Sequence, residues 1–172
     1  VTFLTWKKEN GKTVFASPAD PEPLVVFGVH PYDIRAFQIW EETMLRGKYE
    51  DPVTKARLAS LTIVGLDITT PPRDSFAASV DAHVVSDGYD LMLTILATDR
   101  ILAEARTEKG AALLEGITYR DAAQSDIAER DRLREERATK YPHTLPTSSE
   151  SVSEFLMQHA NHPLFTETGD LC

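Results

Sequence analysis

The chain has 172 residues, enough for one ordinary domain with or without a tail, and its 42% hydrophobic and 26% charged residues exclude the disordered and fibrous classes. Its single cysteine, Cys172, excludes an internal disulfide and points to a reducing compartment, the cytoplasm. With 18 lysines and arginines against 27 aspartates and glutamates, the net charge is −9, which repels phosphate backbones and anionic lipid heads and argues against nucleic acid and membrane surfaces as partners.

Thr2 to Lys7 and Thr13 to Ala16 read as a β-hairpin around Asn10-Gly11, because both turn residues tolerate positive φ. The proline-rich stretch Ser17 to Pro23 excludes helix and central strand. Leu24 to Val29 is wholly apolar and rich in β-branched residues, which predicts a strand buried on both faces. His30-Pro31 ends it, and Asp33 is positioned to N-cap a helix from Ile34 to Leu45. A second apolar strand, Leu61 to Leu66, completes a right-handed βαβ unit. Thr69 to Asp74 is a loop, and Asp90 to Leu96 with Ile101 to Ala105 form a strand pair. Thr107 caps a short helix through Glu115, weakened at Gly110 by about 1 kcal/mol. The fold class is therefore α/β, with a mixed sheet, an N-terminal hairpin and C-terminal helices.

From Asp121 to Lys140 the texture changes to a charged helix. Its stripe of Ala123, Ile127 and Leu133 is thin, and Asp126/Arg130, Glu129/Arg132, Asp131/Arg134 and Glu136/Lys140 are spaced to pair along its own surface. This predicts a solvated helix lying on the domain or against a partner. A loop from Pro142 to Ser149 follows, and Ser151 with Glu154 predicts a capping box for a helix through His159, with Pro163 ending helical geometry. No run approaches the ~20 apolar residues of a membrane span, and no signal peptide is visible, so membrane insertion is not expected. A start on valine and an end on the only cysteine suggest a piece of something longer.

Chemical motifs are few. Gly28 to Asp33 lies where open α/β sheets place ligands, at the carboxyl end of a strand, but it is neither a dinucleotide fingerprint nor a P-loop. His30, Tyr32 and Asp33 are the residues a stand-alone enzyme would use there. His159 and His162 have a two-ligand spacing, with only Cys172 nearby as a third zinc donor. No nucleophile elbow occurs, and no acid/base pair separates itself from the solvated carboxylates.

One resemblance goes further. Val26-Phe27-Gly28-Val29-His30-Pro31-Tyr32-Asp33-Ile34-Arg35-Ala36 resembles the V-x-G-V-R-P-C-D-x-R-A segment of a family of iron–sulfur electron-transfer subunits. That family includes the beta subunits of cytoplasmic sulfhydrogenases and the matching electron-transfer subunits of anaerobic sulfite reductases. Further segments follow in the family's order: Lys48 to Pro52 with Ala56-Arg57, Ile63 to Leu66, Gly88 to Thr94, and Thr107 to Gly110 with Ala112 to Leu114. His162-Pro163-Leu164-Phe165 resembles the His-Pro-x-Trp segment that leads into a ferredoxin-like cysteine motif, and Cys172 falls at that motif's first cysteine.

The departures matter equally. Tyr32 and Ile68 stand where the family has cysteines, and Ser75 and Ala77 correspond roughly to two more. Iron in such clusters is held by thiolates, so the resemblance implies a degenerate copy with no cluster within residues 1–171. It implies a [4Fe–4S] ligand at Cys172 only, with the remaining ligands outside this chain. The implied organisation is an α/β domain over 1–120, the charged helix over 121–141, and a linker with a short helix over 142–172 leading to the ferredoxin-like motif. The implied role is a non-catalytic docking domain in an anaerobic, cytoplasmic redox complex, its partners a flavoprotein and a hydrogenase or reductase subunit. The helix over 121–140 and the N-terminal hairpin are the expected docking surfaces. A scaffold or regulatory domain without electron transfer is the alternative.

Overall fold

The computed structural model describes residues 4–16, 21–96, 99–146, 148 and 151–171. Thr2, the first part of the proline-rich stretch and Cys172 lie outside the described residues. Strands β1 (Thr5–Glu9) and β2 (Lys12–Ala16) form the hairpin, with Trp6 opposite Phe15. Asn10 at φ 50° and Gly11 at φ 76° make the two-residue turn, with both central residues left-handed as a tight hairpin requires.

A four-stranded sheet follows, in the order β3 (Leu24–Val29), β4 (Leu61–Leu66), β5 (Leu91–Ile95), β6 (Ile101–Ala105). The first three strands are parallel and β6 is antiparallel, so the sheet is mixed as expected. Between β3 and β4 run two helices, α1 (Pro31–Leu45) and α2 (Pro52–Ser60). The α1 N-cap is His30 with Pro31 at the first helical position, and Asp33 sits in the first turn rather than at the cap. Helix α2 was not expected, although Asp51-Pro52 is a helix start. The Asp51 carboxylate accepts from the Val53 and Thr54 amides and from the Thr54 hydroxyl, at 3.1, 3.3 and 2.6 Å.

Alternation and register divide the sheet into two faces. One carries Val26, Ile63, Gly65, Met92 and Thr94, and its core is Val29, Ile34, Ile63 and Met92, with Phe37 and Tyr89 packed around it. Ile34 is fully buried, and it and Met92 press so closely on Gly65 that a Cβ there would lie 2.7 Å from Met92 Cε. The opposite face carries Val25, Phe27, Thr62, Val64, Leu66, Leu91, Leu93, Ile95, Ile101, Ala103 and Ala105. Over it lie α3 (Glu108–Ala112) and the segment that follows. Thr107 Oγ1 caps α3 by accepting from the Gly110 amide at 3.2 Å. Lys109 Nζ closes the end of α2 by donating to the Ala59 and Leu61 carbonyls at 2.6 and 2.9 Å.

Strand β3 is an edge strand, and the expectation that it is buried on both faces does not hold: Leu24, Val25 and Phe27 are exposed. The charged helix α4 (Gln124–Ala138) also differs from its expected solvated form. Asp126 and Arg137 are buried, and the helix docks through ions. Arg130 pairs with Glu104, Arg134 with Asp67 and Glu104, Arg137 with Asp67, and Arg100 with Asp126 and Glu129. Of the expected pairs along the helix, Glu136–Lys140 forms at 3.7 Å. Near the C-terminus, α5 (Val152–Gln158) starts without a side-chain cap from Ser151, whose hydroxyl meets that of Ser148. Pro163 opens α6 (Pro163–Gly169) instead of ending helical structure, because its missing N–H is not needed at a first helical position.

Candidate functional site

Two regions carry the features that a site requires. The first lies beyond the carboxyl ends of β3 and β4, where His30, Tyr32, Asp67 and Ile68 emerge and where α4 delivers Arg134 and Arg137. The Asp67 carboxylate is saturated: Oδ2 accepts from Thr94 Oγ1 at 2.8 Å and Arg134 Nε at 2.7 Å, and Oδ1 accepts from Arg137 Nη1 at 2.7 Å. Burial pushes the Asp67 carboxyl up, but the Arg134 and Arg137 charges and the hydrogen bonds from Arg134 and Thr94 outweigh it and hold it below its ordinary value. A carboxylate fixed in this way is a structural anion rather than a proton carrier.

His30, Tyr32 and Asp33 do not converge on a reactive centre. His30 Nδ1 is bonded to the Leu66 carbonyl oxygen at 3.1 Å, and its ring lies 5.5 Å from that of Tyr32. Burial and the neighbouring Asp33 carboxylate push the Tyr32 phenol up, which keeps its proton on. Asp33 instead borders an open depression of about 310 Å³ with Ala36, Phe37 and Trp40.

Of the positions matched to the family's cysteines, Tyr32 and Ile68 follow directly on these strands. Tyr32 is half-buried in the first turn of α1, while Ile68 and Ala77 are buried. The Ser75 hydroxyl accepts from the Ala77 amide at 3.4 Å. Among the described residues, no group of three or more His, Cys, Asp or Glu side chains is placed to hold a metal ion. His159 uses Nδ1 on the Phe155 carbonyl at 2.8 Å, and His162 caps α6 by accepting from the Leu164 amide at 3.2 Å. No described helix is long and apolar enough to cross a membrane.

The second region is the half-covered sheet face. All of its residues except Thr62 are apolar, yet Val25, Phe27, Ile95 and Ile101 stand exposed. Between β5, β6 and the segment from Leu114 to Ala122 lies a cavity of about 580 Å³, walled by Leu93, Leu96, Ile101, Leu114, Ile117 and Tyr119. Arg100, Arg120 and Asp126 close one end as a linked ion cluster, with Arg120 Nη2 2.8 Å from the Asp126 carboxylate. This volume falls within the range of small-ligand pockets, and the apolar walls also suit a side chain from a docked partner. The burial of β3 and the pairing of α4 could not be read from hydrophobicity, because both depend on what covers a surface rather than on its own residues. The sequence matches no protein-family model, no curated protein and no solved structure.

Proposed function

We propose that this chain is a docking domain that seats a partner protein on the half-covered face of its sheet. The observation that carries the reading is that one sheet face leaves apolar residues in water at both of its edges, Val25 and Phe27 on β3 and Ile95 and Ile101 on β5 and β6. Exposed apolar patches, here Val25 with Phe27 and the cross-strand pair Ile95 and Ile101, mark interaction surfaces. The β3 edge next to them is six residues without an internal charge or proline to guard it. Helix α4, whose inward face is committed to its own sheet, is not the docking surface in this reading.

The resemblance to iron–sulfur electron-transfer subunits supplies the class of partner: a flavoprotein and a hydrogenase or reductase subunit in an anaerobic cytoplasmic complex. In that reading Cys172 is the first ligand of a [4Fe–4S] motif completed outside this chain, and residues 1–171 hold no cluster. Tyr32, Ile68 and Ala77 support it, since none offers a thiolate where the family has one. The test is to isolate the native complex through a tag on this chain and to measure iron, labile sulfide and the ultraviolet–visible spectrum. The expected result is a complex whose cluster content falls with Cys172→Ser, beside an iron-free chain of residues 1–171. A complex without iron would leave the scaffold alternative, and a cluster reconstituted on residues 1–171 would overturn the assignment.

A further inference from the structure

Arg137 lies in the last turn of α4 and is only 2% exposed. One side of its guanidinium is occupied, since Nη1 donates to Asp67 Oδ1 and to the Ile68 carbonyl. The other edge is not. Nε and Nη2 are buried with no partner among the described residues, and the same is true of His83 Nδ1 and the Tyr141 hydroxyl. These groups are neighbours: the His83 and Tyr141 rings meet edge-on with centroids 5.7 Å apart, and the Arg137 charge acts on both.

A buried donor left unpaired costs about 1–3 kcal/mol, more when charged, and folded proteins satisfy such groups with water or an ion. The chemistry here favours an anion over water. The Nε–Nη2 edge of an arginine presents two parallel N–H groups that fit the two oxygens of a planar oxyanion. The Tyr141 hydroxyl and His83 Nδ1, in the tautomer protonated there, add two further donors. The surrounding ion network balances Arg130, Arg134 and Arg137 against Asp67, Glu104 and the exposed Asp131, so it sets no net negative charge against an anion at this edge.

We propose that the Nε–Nη2 edge of Arg137, with the Tyr141 hydroxyl and His83 Nδ1, binds a small planar oxyanion, either a free monocarboxylate or bicarbonate. The donors are closed to solvent, so binding is coupled to displacement of His83 or Tyr141, both of which are half-buried. The site is separate from the apolar face and needs no partner protein, so its failure would leave the docking reading standing.

The test uses the full chain, titrated with formate, acetate and bicarbonate at an ionic strength matched with sodium chloride and followed by calorimetry and thermal melting. Sulfate serves as a tetrahedral comparison. The expected result is saturable binding and a rise in Tm with formate, acetate or bicarbonate that chloride does not reproduce. A response to formate and acetate alone identifies a monocarboxylate site, and a response to bicarbonate alone identifies that ion. Tyr141→Phe removes only an unpaired hydroxyl and so keeps the fold, yet it should weaken binding about tenfold. His83→Gln should weaken it as well, and both can be read by the line broadening of ¹³C-formate. The proposal is overturned if every anion behaves like chloride, or if both variants bind with unchanged affinity.

Discussion

Gly110 and Asp90 meet without room for a single carbon: a Cβ on Gly110 would fall 1.8 Å from the Asp90 carbonyl oxygen. The same carbonyl accepts from the Arg106 amide at 2.8 Å, and the Asp90 carboxylate takes the Ile63 amide at 2.8 Å and the Thr107 hydroxyl at 2.5 Å. Asp90 therefore ties β4 to the start of α3, and Gly110 lets that helix sit against the strand. Propensity alone says that alanine in α3 should stabilise by about 1 kcal/mol. The packing says the reverse. Gly110→Ala is expected to destabilise by about 3 kcal/mol or more, read by urea denaturation, and a neutral or stabilising result would show that the contact is absent.

The Asp67 carboxylate sits between two guanidiniums, one of them as buried as it is. Asp67→Asn keeps the shape and removes the charge, leaving Arg137 without a counter-ion in the interior. The expected cost is about 3–5 kcal/mol, typical of a buried pair deprived of one member. Glu136→Gln is the contrasting variant. Glu136 meets Arg132 and Lys140 on the outer surface of α4, so its loss should cost less than about 1 kcal/mol. Equal effects from the two would contradict the view that α4 is held through its inward ions.

Acidification should weaken the fold in two stages. Burial and, secondarily, the Arg137 charge push His83 below its ordinary value of 6.5, with Asp81 opposing. The unfolded chain then binds the proton more readily, so the associated stability is present above pH 6.5 and is lost as pH falls through the lower folded value. Asp67 is likewise depressed, from an ordinary value of 3.8, so its contribution is present above that pH and is lost as pH falls further. Denaturation curves across a pH series should show both declines, and His83→Gln should erase the first while leaving the second. A first stage that survives His83→Gln would assign it to another group.

The elements made by local chemistry were legible in the residues. Asn10-Gly11 specified its turn, Thr107 its cap, and the apolar runs at Leu24 and Leu61 the parallel pair, because each depends on neighbours close in the chain. What failed depended on distant residues. Asp126, Arg130 and Arg134 look like partners for residues along their own helix, yet Arg100, Glu104 and Asp67, far away in sequence, claim them. The apolar run at Val25 and Phe27 gives no sign of being at an edge, since strand order is a property of the whole sheet. The unpaired donors of Arg137, His83 and Tyr141 were equally hidden: Arg137 and Tyr141 lie at and just beyond the end of α4, but His83 comes from a loop far away in sequence, which no motif spacing reveals.

The exposed face offers the most direct test of function. Phe27 is 71% exposed on β3 and Ile101 62% exposed on β6, at opposite edges of the same face. Phe27→Glu and Ile101→Glu remove apolar surface that the isolated chain leaves in water, so each should change its stability by no more than about 1 kcal/mol. Val64, on the same face but 2% exposed, is the contrast, and Val64→Glu should cost several times more because a carboxylate there is buried without a partner. If this face seats a partner, the two edge variants, pulled from cells by the same tag, should lose the co-purifying proteins together with their iron while melting as the unaltered chain does. Retention of the full complex by both variants would remove the face from the interface and with it the docking role assigned to this side of the sheet.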